Sequence, residues 1–135
     1  MTKQQRERGA VAVEMAIVLP LLLMLLIGTI EFGRVFNIQI SLSQAAREGA
    51  RYGAIHHDDS DLDVQGVALA AAPSLAGLPV AVADDAASCG GGSDVHVTAT
   101  VTVNSLTGLF DADLLGMPVI FPMQLTGVGV MQCGG

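Results

Sequence analysis

Met1-Thr-Lys-Gln-Gln-Arg-Glu-Arg-Gly9 runs directly into Ala10-Val-Ala-Val-Glu14-Met-Ala-Ile-Val-Leu-Pro20-Leu-Leu-Leu-Met-Leu-Leu-Ile-Gly-Thr-Ile30, a basic leader followed by an apolar segment. Across Ala10–Ile30 the only ionisable side chain is Glu14. At a rise of ~1.5 Å per residue this stretch covers the ~30 Å hydrocarbon core of a bilayer. A charged side chain at that depth costs roughly 2.5–3.5 kcal/mol on insertion scales, so a carboxylate there asks for a cation. Cutting the chain after Gly9 supplies one, because the new amino terminus of Ala10 is an ammonium one helical turn from Glu14. A secretory signal is cut after its apolar run at a small-residue site. Here Gly9 precedes the run and no A-x-A-like site closes it at Gly28-Thr-Ile-Glu-Phe32, so the mature chain is expected to keep its anchor. Glu14 also has a plainer reading, a polar residue near the interface end of an ordinary span that snorkels to water. The glycine at the right offset, the otherwise uncharged run and the amphipathic extension beyond it favour the cleaved leader.

The chain has 135 residues, room for the anchor and one small domain. Its net charge of −7 is unevenly distributed. All six Lys and Arg lie in the first 51 residues, whereas residues 52–135 carry nine Asp and no Lys or Arg. A nucleic-acid binder needs a basic patch to displace counterions, which excludes that class and nucleic acid as a partner. Lys3, Arg6 and Arg8 before the span nearly balance Arg34, Arg47 and Arg51 after it, so counting cations alone leaves the orientation tied. The tail without Lys or Arg is easy to translocate, and Cys89 and Cys133 make an even pair suited to an oxidising compartment. The expected topology is a single pass through the cell membrane, with a cytoplasmic amino terminus and a carboxy-terminal domain outside.

Pro20 removes a helical hydrogen bond and crowds the preceding turn, so a kink is expected there without an end to the helix. Beyond Glu31, Val35, Ile38, Leu42, Ala45, Gly49 and Tyr52 recur at alternating steps of three and four, the spacing of a helical seam. Glu31 with Arg34 and Glu48 with Arg51 are three-residue pairs expected on outward faces. The pattern predicts a near-continuous helix from Ala10 to about Ala54. Ala45, Gly49 and Gly53, with Ala46, Ala50 and Ala54 beside them, invite close approach of another backbone. That backbone belongs either to another subunit or to the chain's own domain.

Past a polar break at 56–63, a short helix is expected from about Asp61 to Ala72, capped by Asp or Ser and ended by Pro73. Leu78–Ala83 reads as a short strand, and Asp94–Val103 alternates Val95, Val97, Ala99, Val101 and Val103 with His96, Thr98, Thr100 and Thr102. Val119–Met131 supplies a last strand, with Pro122 arguing for an edge or a bulge and Gly127 and Gly129 weakening it. Residues 104–118 read as a long loop. The fold class is therefore α+β: a long amino-terminal transmembrane and amphipathic helix, then a short helix and a three- or four-stranded antiparallel sheet. The divisions are a leader at 1–9, a transmembrane helix at 10–30, an amphipathic extension at 31–55 and an extracytoplasmic domain at 56–135. A Cys89–Cys133 bridge would close a long loop through the final strand, worth ~4 kcal/mol in the chain-entropy model.

Candidate chemistry is sparse. Asp59, Asp61 and Asp63 have the one-three-five spacing of a calcium loop, but Val64 stands where that loop needs Gly and Ala70 where it needs Glu. A solvated acidic turn is the better account, and no metal site is expected. The cysteines are not in a C-x-x-C arrangement, and the glycines at 90–92 lack the ending of a phosphate loop. No nucleophile, base and orienting acid assemble, so the chain reads as a non-enzyme without cofactors.

Arg8-Gly-Ala-Val-Ala-Val-Glu-Met-Ala-Ile-Val-Leu-Pro20, Ile30-Glu-Phe-Gly-Arg34 and Gln44-Ala-Ala-Arg-Glu-Gly-Ala-Arg-Tyr52 closely resemble the TadE-like proteins of the tight-adherence (Flp) pilus apparatus. The resemblance covers roughly residues 6–54; the carboxy-terminal part is similar only loosely, in its closing strands and cysteine pair. It implies a pseudopilin or minor pilin with a type IV prepilin leader, cut between Gly9 and Ala10 by a prepilin peptidase. By the same resemblance Glu14 is the glutamate at the fifth mature position, whose carboxylate meets the amino terminus of a neighbouring subunit and sets axial register. Its implied partners are that peptidase, the membrane and other pilin or pseudopilin subunits, packed through the amino-terminal helix, with the chain in the filament, at its cap or held in the membrane. The competing expectation is an unprocessed single-span protein with an extracytoplasmic binding or adhesive domain.

Overall fold

The computed structural model describes residues 3–108 and 118–134, with side chains from Gly9 onward. Its elements in chain order are helix α1 (Lys3–His56), helix α2 (Val64–Ala70), strand β1 (Ala81–Asp84), strand β2 (Asp94–Val103) and strand β3 (Met123–Gln132). Two short 3-10 turns, Pro73–Leu75 and Ala86–Ser88, link α2 to β1 and β1 to β2. The fold is α+β, with a sheet of three antiparallel strands in the order β1-β2-β3. Most of the loop expected over 104–118 lies outside the described residues. The chain divides into two compact units, Met1–Gly33 and Arg34–Gly135.

In the first unit, α1 is exposed at every side chain from Gly9 to Leu26, although most of these are large and apolar. The Thr29 hydroxyl donates to the carbonyls of Leu25 (3.0 Å) and Leu26 (2.7 Å), so its polar group is satisfied within the helix. Glu31 departs from the expected outward position, with only 1 % of its surface exposed.

In the second unit, α1 buries a stripe made of Val35, Ile38, Leu42, Ala45, Ala46, Ala50 and Ala54. Strand β2 meets it with Val95, Val97, Ala99, Val101 and Val103, none more than 2 % exposed, and leaves His96 and Thr102 in solvent. This is the period-two alternation of a half-buried strand. Across the ladder, Val97 pairs with Gly129 and Ala99 with Gly127, so the middle of the inner face of β3 has no side chains. The backbone of α1 occupies the space. A β-carbon at Gly127 would overlap the backbone of Leu42 and Ser43, and one at Gly129 the backbone of Ala46 and Arg47. The glycines expected to weaken β3 are thus the seat on which the helix lies.

Helix α2 begins later than the sequence pattern predicts, because Asp63 is its N-cap: the carboxylate accepts the Gly66 N–H at 2.8 Å. Val64 and Ala68 turn inward, and Leu75, Ala86 and Phe121 close the core at its margins. Strand β1 starts three residues later than expected and β3 four, the latter directly after Pro122, whose missing N–H suits the approach to an edge strand.

Candidate functional site

The sequence points to two places, the segment around Gly9 and the helix stripe above the sheet. Gly9 and Ala10 are both helical and exposed, and nothing lies within 4 Å of the position a β-carbon on Gly9 would take. Glu14, one turn further on, is also exposed, as are Val11 and Val13 at 64 % each and Ile17 at 70 %. Pro20 lies inside the continuous helix. A helix apolar on all sides belongs in hydrocarbon or in the core of a larger assembly. Among the described residues α1 is the one helix long and apolar enough to cross a membrane.

The stripe of small residues resolves the second question within the chain itself. Ala45, Ala46 and Ala50 are completely buried, and Gly49 and Gly53 are buried with them. A β-carbon at Gly49 would stand 3.1 Å from the Ala68 side chain and 3.3 Å from Val97; at Gly53 it would stand 2.8 Å from Ala86. These positions therefore admit α2, β2 and the turn at Ala86 at close range and are not a surface for another subunit. The side of α1 left outward carries Phe36 and Ile40, exposed at 66 % and 67 %, and the charged residues Arg47, Glu48 and Arg51.

Charges on that outward side are partly paired. Arg51 donates to both Glu48 carboxylate oxygens, the shortest contact being 2.6 Å. This hydrogen bonding, helped by the arginine charge, holds the Glu48 carboxyl below the usual carboxylate range. Arg34 donates to the Asn104 carbonyl at 3.1 Å. Gln39 donates its amide to the Thr126 carbonyl at 2.8 Å, a tie from helix to β3 that hydrophobic periodicity does not reveal.

At the acidic turn, Asp63 is used as the helix cap, His57 Nε2 lies 3.5 Å from Asp58, and the His56 ring stacks on Tyr52 at 4.3 Å. Among the described residues no cluster of three His, Cys, Asp or Glu side chains is arranged to hold a metal ion. Cys89 and Cys133 form a disulfide, with Cα atoms 5.8 Å apart, tying the loop before β2 to the end of β3. The Cys133 N–H donates to the Ser93 carbonyl at 2.8 Å, which continues the β2–β3 pairing to the bridge.

No curated protein and no solved structure matches the chain. A family model does, and its match begins at the glycine of the expected cut, takes in Glu14 and Pro20, and ends within the outward Arg47–Arg51 patch. Over residues 9–51 the chain matches the family described as TadE-like protein, a pilus-associated structural family.

Proposed function

We propose that this chain is a pseudopilin or minor pilin of a tight-adherence pilus, or of a related secretion apparatus, processed between Gly9 and Ala10 by a prepilin peptidase. The observation that carries the reading is the coincidence of the TadE-like match with a helix whose apolar side chains stand exposed from Val11 to Leu26. Such a surface is stable in lipid and, once withdrawn from lipid, against the same helix of other subunits. Processing removes Lys3, Arg6, Arg8 and Glu7, a net loss of two positive charges that takes the chain from −7 to −9. It leaves an ammonium at Ala10, and Glu14 then has a countercharge at its own depth on a neighbouring subunit. The kink at Pro20 belongs to the same proposal, as a bend that lets the anchor adapt to its neighbours.

The disulfide supports an extracytoplasmic location for the second unit, since such bonds persist in oxidising compartments. The amino terminus would then be cytoplasmic before cleavage. Sequencing the amino terminus of protein extracted from membranes tests the assignment. Ala10 is the expected first residue; Met1 or Thr2 would reduce the protein to an unprocessed single-span anchor. Glu14→Ala is expected to leave membrane insertion intact and to impair assembly, measured as protein recovered in the sheared surface fraction. Wild-type recovery would refute the register role.

A further inference from the structure

Beside the end of β3, the outward flank of α1 forms an open groove of about 650 Å³. Its apolar edges are Ile40 and Met131, exposed at 67 % and 39 %, and Arg47 and Arg51 stand along it. The three Lys or Arg residues of 34–135 are Arg34, Arg47 and Arg51. Arg34 is occupied at Asn104 and Arg51 is held by Glu48, whereas Arg47 is exposed and makes no ion pair among the described residues. Glu48 also lines the groove, but its charge is met by Arg51, so the groove offers two apolar edges and one available guanidinium.

The same chain carries the complementary surface a few turns away. Ile55, near the end of α1, is 55 % exposed, and Asp58 and Asp59 follow it in the acidic turn, both exposed. We infer that the groove is a docking site for a second copy of this chain, which inserts Ile55 between Ile40 and Met131 and sets Asp58 and Asp59 against Arg47. The inference rests on the assembly role proposed above and names the partner. Charge favours this occupant: every Lys and Arg of residues 34–135 lies on α1, while the turn beyond it is acidic. Complementary charge at the rim of an apolar contact fixes register and suppresses wrong partners.

The two patches differ, so the contact is heterologous and leaves one free patch at each end of a row, the arrangement that grows open helical assemblies rather than closed dimers. Ile40 and Ile55 are fifteen residues apart on one helix, so parallel copies must be staggered by ~22 Å along it. Two copies sitting side by side at equal depth in a flat membrane do not meet this way; copies displaced along a filament do.

The test uses full-length protein in cells with an intact assembly apparatus. Two differently tagged copies are co-expressed, one with Gln44→Cys in the groove and the other with Ser60→Cys in the acidic turn, and treated with a short bis-maleimide. The native cysteines are held in their disulfide and do not react. A cross-linked heterodimer is expected. Its yield should fall roughly tenfold when the first copy also carries Arg47→Glu, and recover when the second carries Asp58→Arg and Asp59→Arg. No heterodimer, a yield indifferent to charge reversal, or capture of a different protein by the Gln44→Cys copy would each overturn the inference. The mature amino terminus is read from the same samples. Ala10 without a heterodimer refutes the contact and leaves the processing assignment standing, whereas Met1 refutes that assignment by itself.

Discussion

At Gly129 the absence of a β-carbon decides whether helix and sheet can meet. The alternation of β2 is legible in the sequence, since Val95 to Val103 differ from their neighbours in polarity at every step. The role of Gly127 and Gly129 is not, because a period of two says which face a residue is on but not what lies above it. Read alone, two glycines in a strand mean lost side-chain packing; beneath α1 they mean contact between backbones. Gly129→Ala forces the Ala46–Arg47 peptide away from β3 and is expected to destabilise the unit by about 2 kcal/mol, lowering its Tm by roughly 10 °C. Gly91→Ala, with nothing within 4 Å of its new methyl group, is expected to stay within ~0.5 kcal/mol. Thermal unfolding of the detergent-extracted variants, followed by circular dichroism, compares the two. A second residue-level expectation concerns Glu48. Its carboxyl pKa is lowered in the folded state, so the Arg51 pair favours folding above the unfolded-state value and loses that effect as pH falls through the folded one. Both groups are open to solvent, which keeps the contribution small. Carboxyl NMR should find Glu48 titrating below an ordinary glutamate, and Arg51→Ala should return it to the usual range.

At the level of elements, the helical seam is the best-read part of the chain. Val35, Ile38, Leu42, Ala45 and Gly49 are all buried, as their three-and-four spacing requires. The small residues beside them are ambiguous in the sequence for a physical reason: close approach of a backbone has the same signature whether the backbone belongs to a neighbour or to the same chain. The structure gives those positions to α2, β2 and β3. Helix α2 illustrates how a cap overrides a composition-based boundary. With seven residues it is too short to persist by propensity, and it depends on Asp63 and on burying Val64 and Ala68. Asp63→Ala is expected to cost about 1 kcal/mol, whereas Asp59→Ala, outside any cap, should leave stability unchanged within ~0.5 kcal/mol. Denaturant midpoints at constant slope distinguish them.

For the whole molecule, the sequence separates an apolar anchor from a small acidic domain, and the structure places residues from Arg34 onward, including the second part of α1, in the compact unit. The core of that unit is largely Ala and Val, so its restraints matter more than they would in a larger protein. The disulfide closes a separation of 44 residues and is expected to contribute ~4 kcal/mol by restricting the unfolded chain. Replacing both cysteines by serine should lower the unfolding temperature by more than any single surface substitution, as read by calorimetry in detergent, with no change in membrane insertion.

The seating of α1 on β3 has a consequence for biosynthesis. The helix leaves the ribosome long before Met123 to Gln132 are translated, and until those residues arrive the Leu42–Ala46 backbone has no glycine seat beneath it. This separation between partners makes closure slow and keeps the Leu42–Ala46 stretch uncovered in the nascent chain. A premature stop before Gly127 would therefore do more than remove an edge strand: it would leave the Leu42–Ala46 stretch of α1 unseated, and the truncated chain a substrate for proteases.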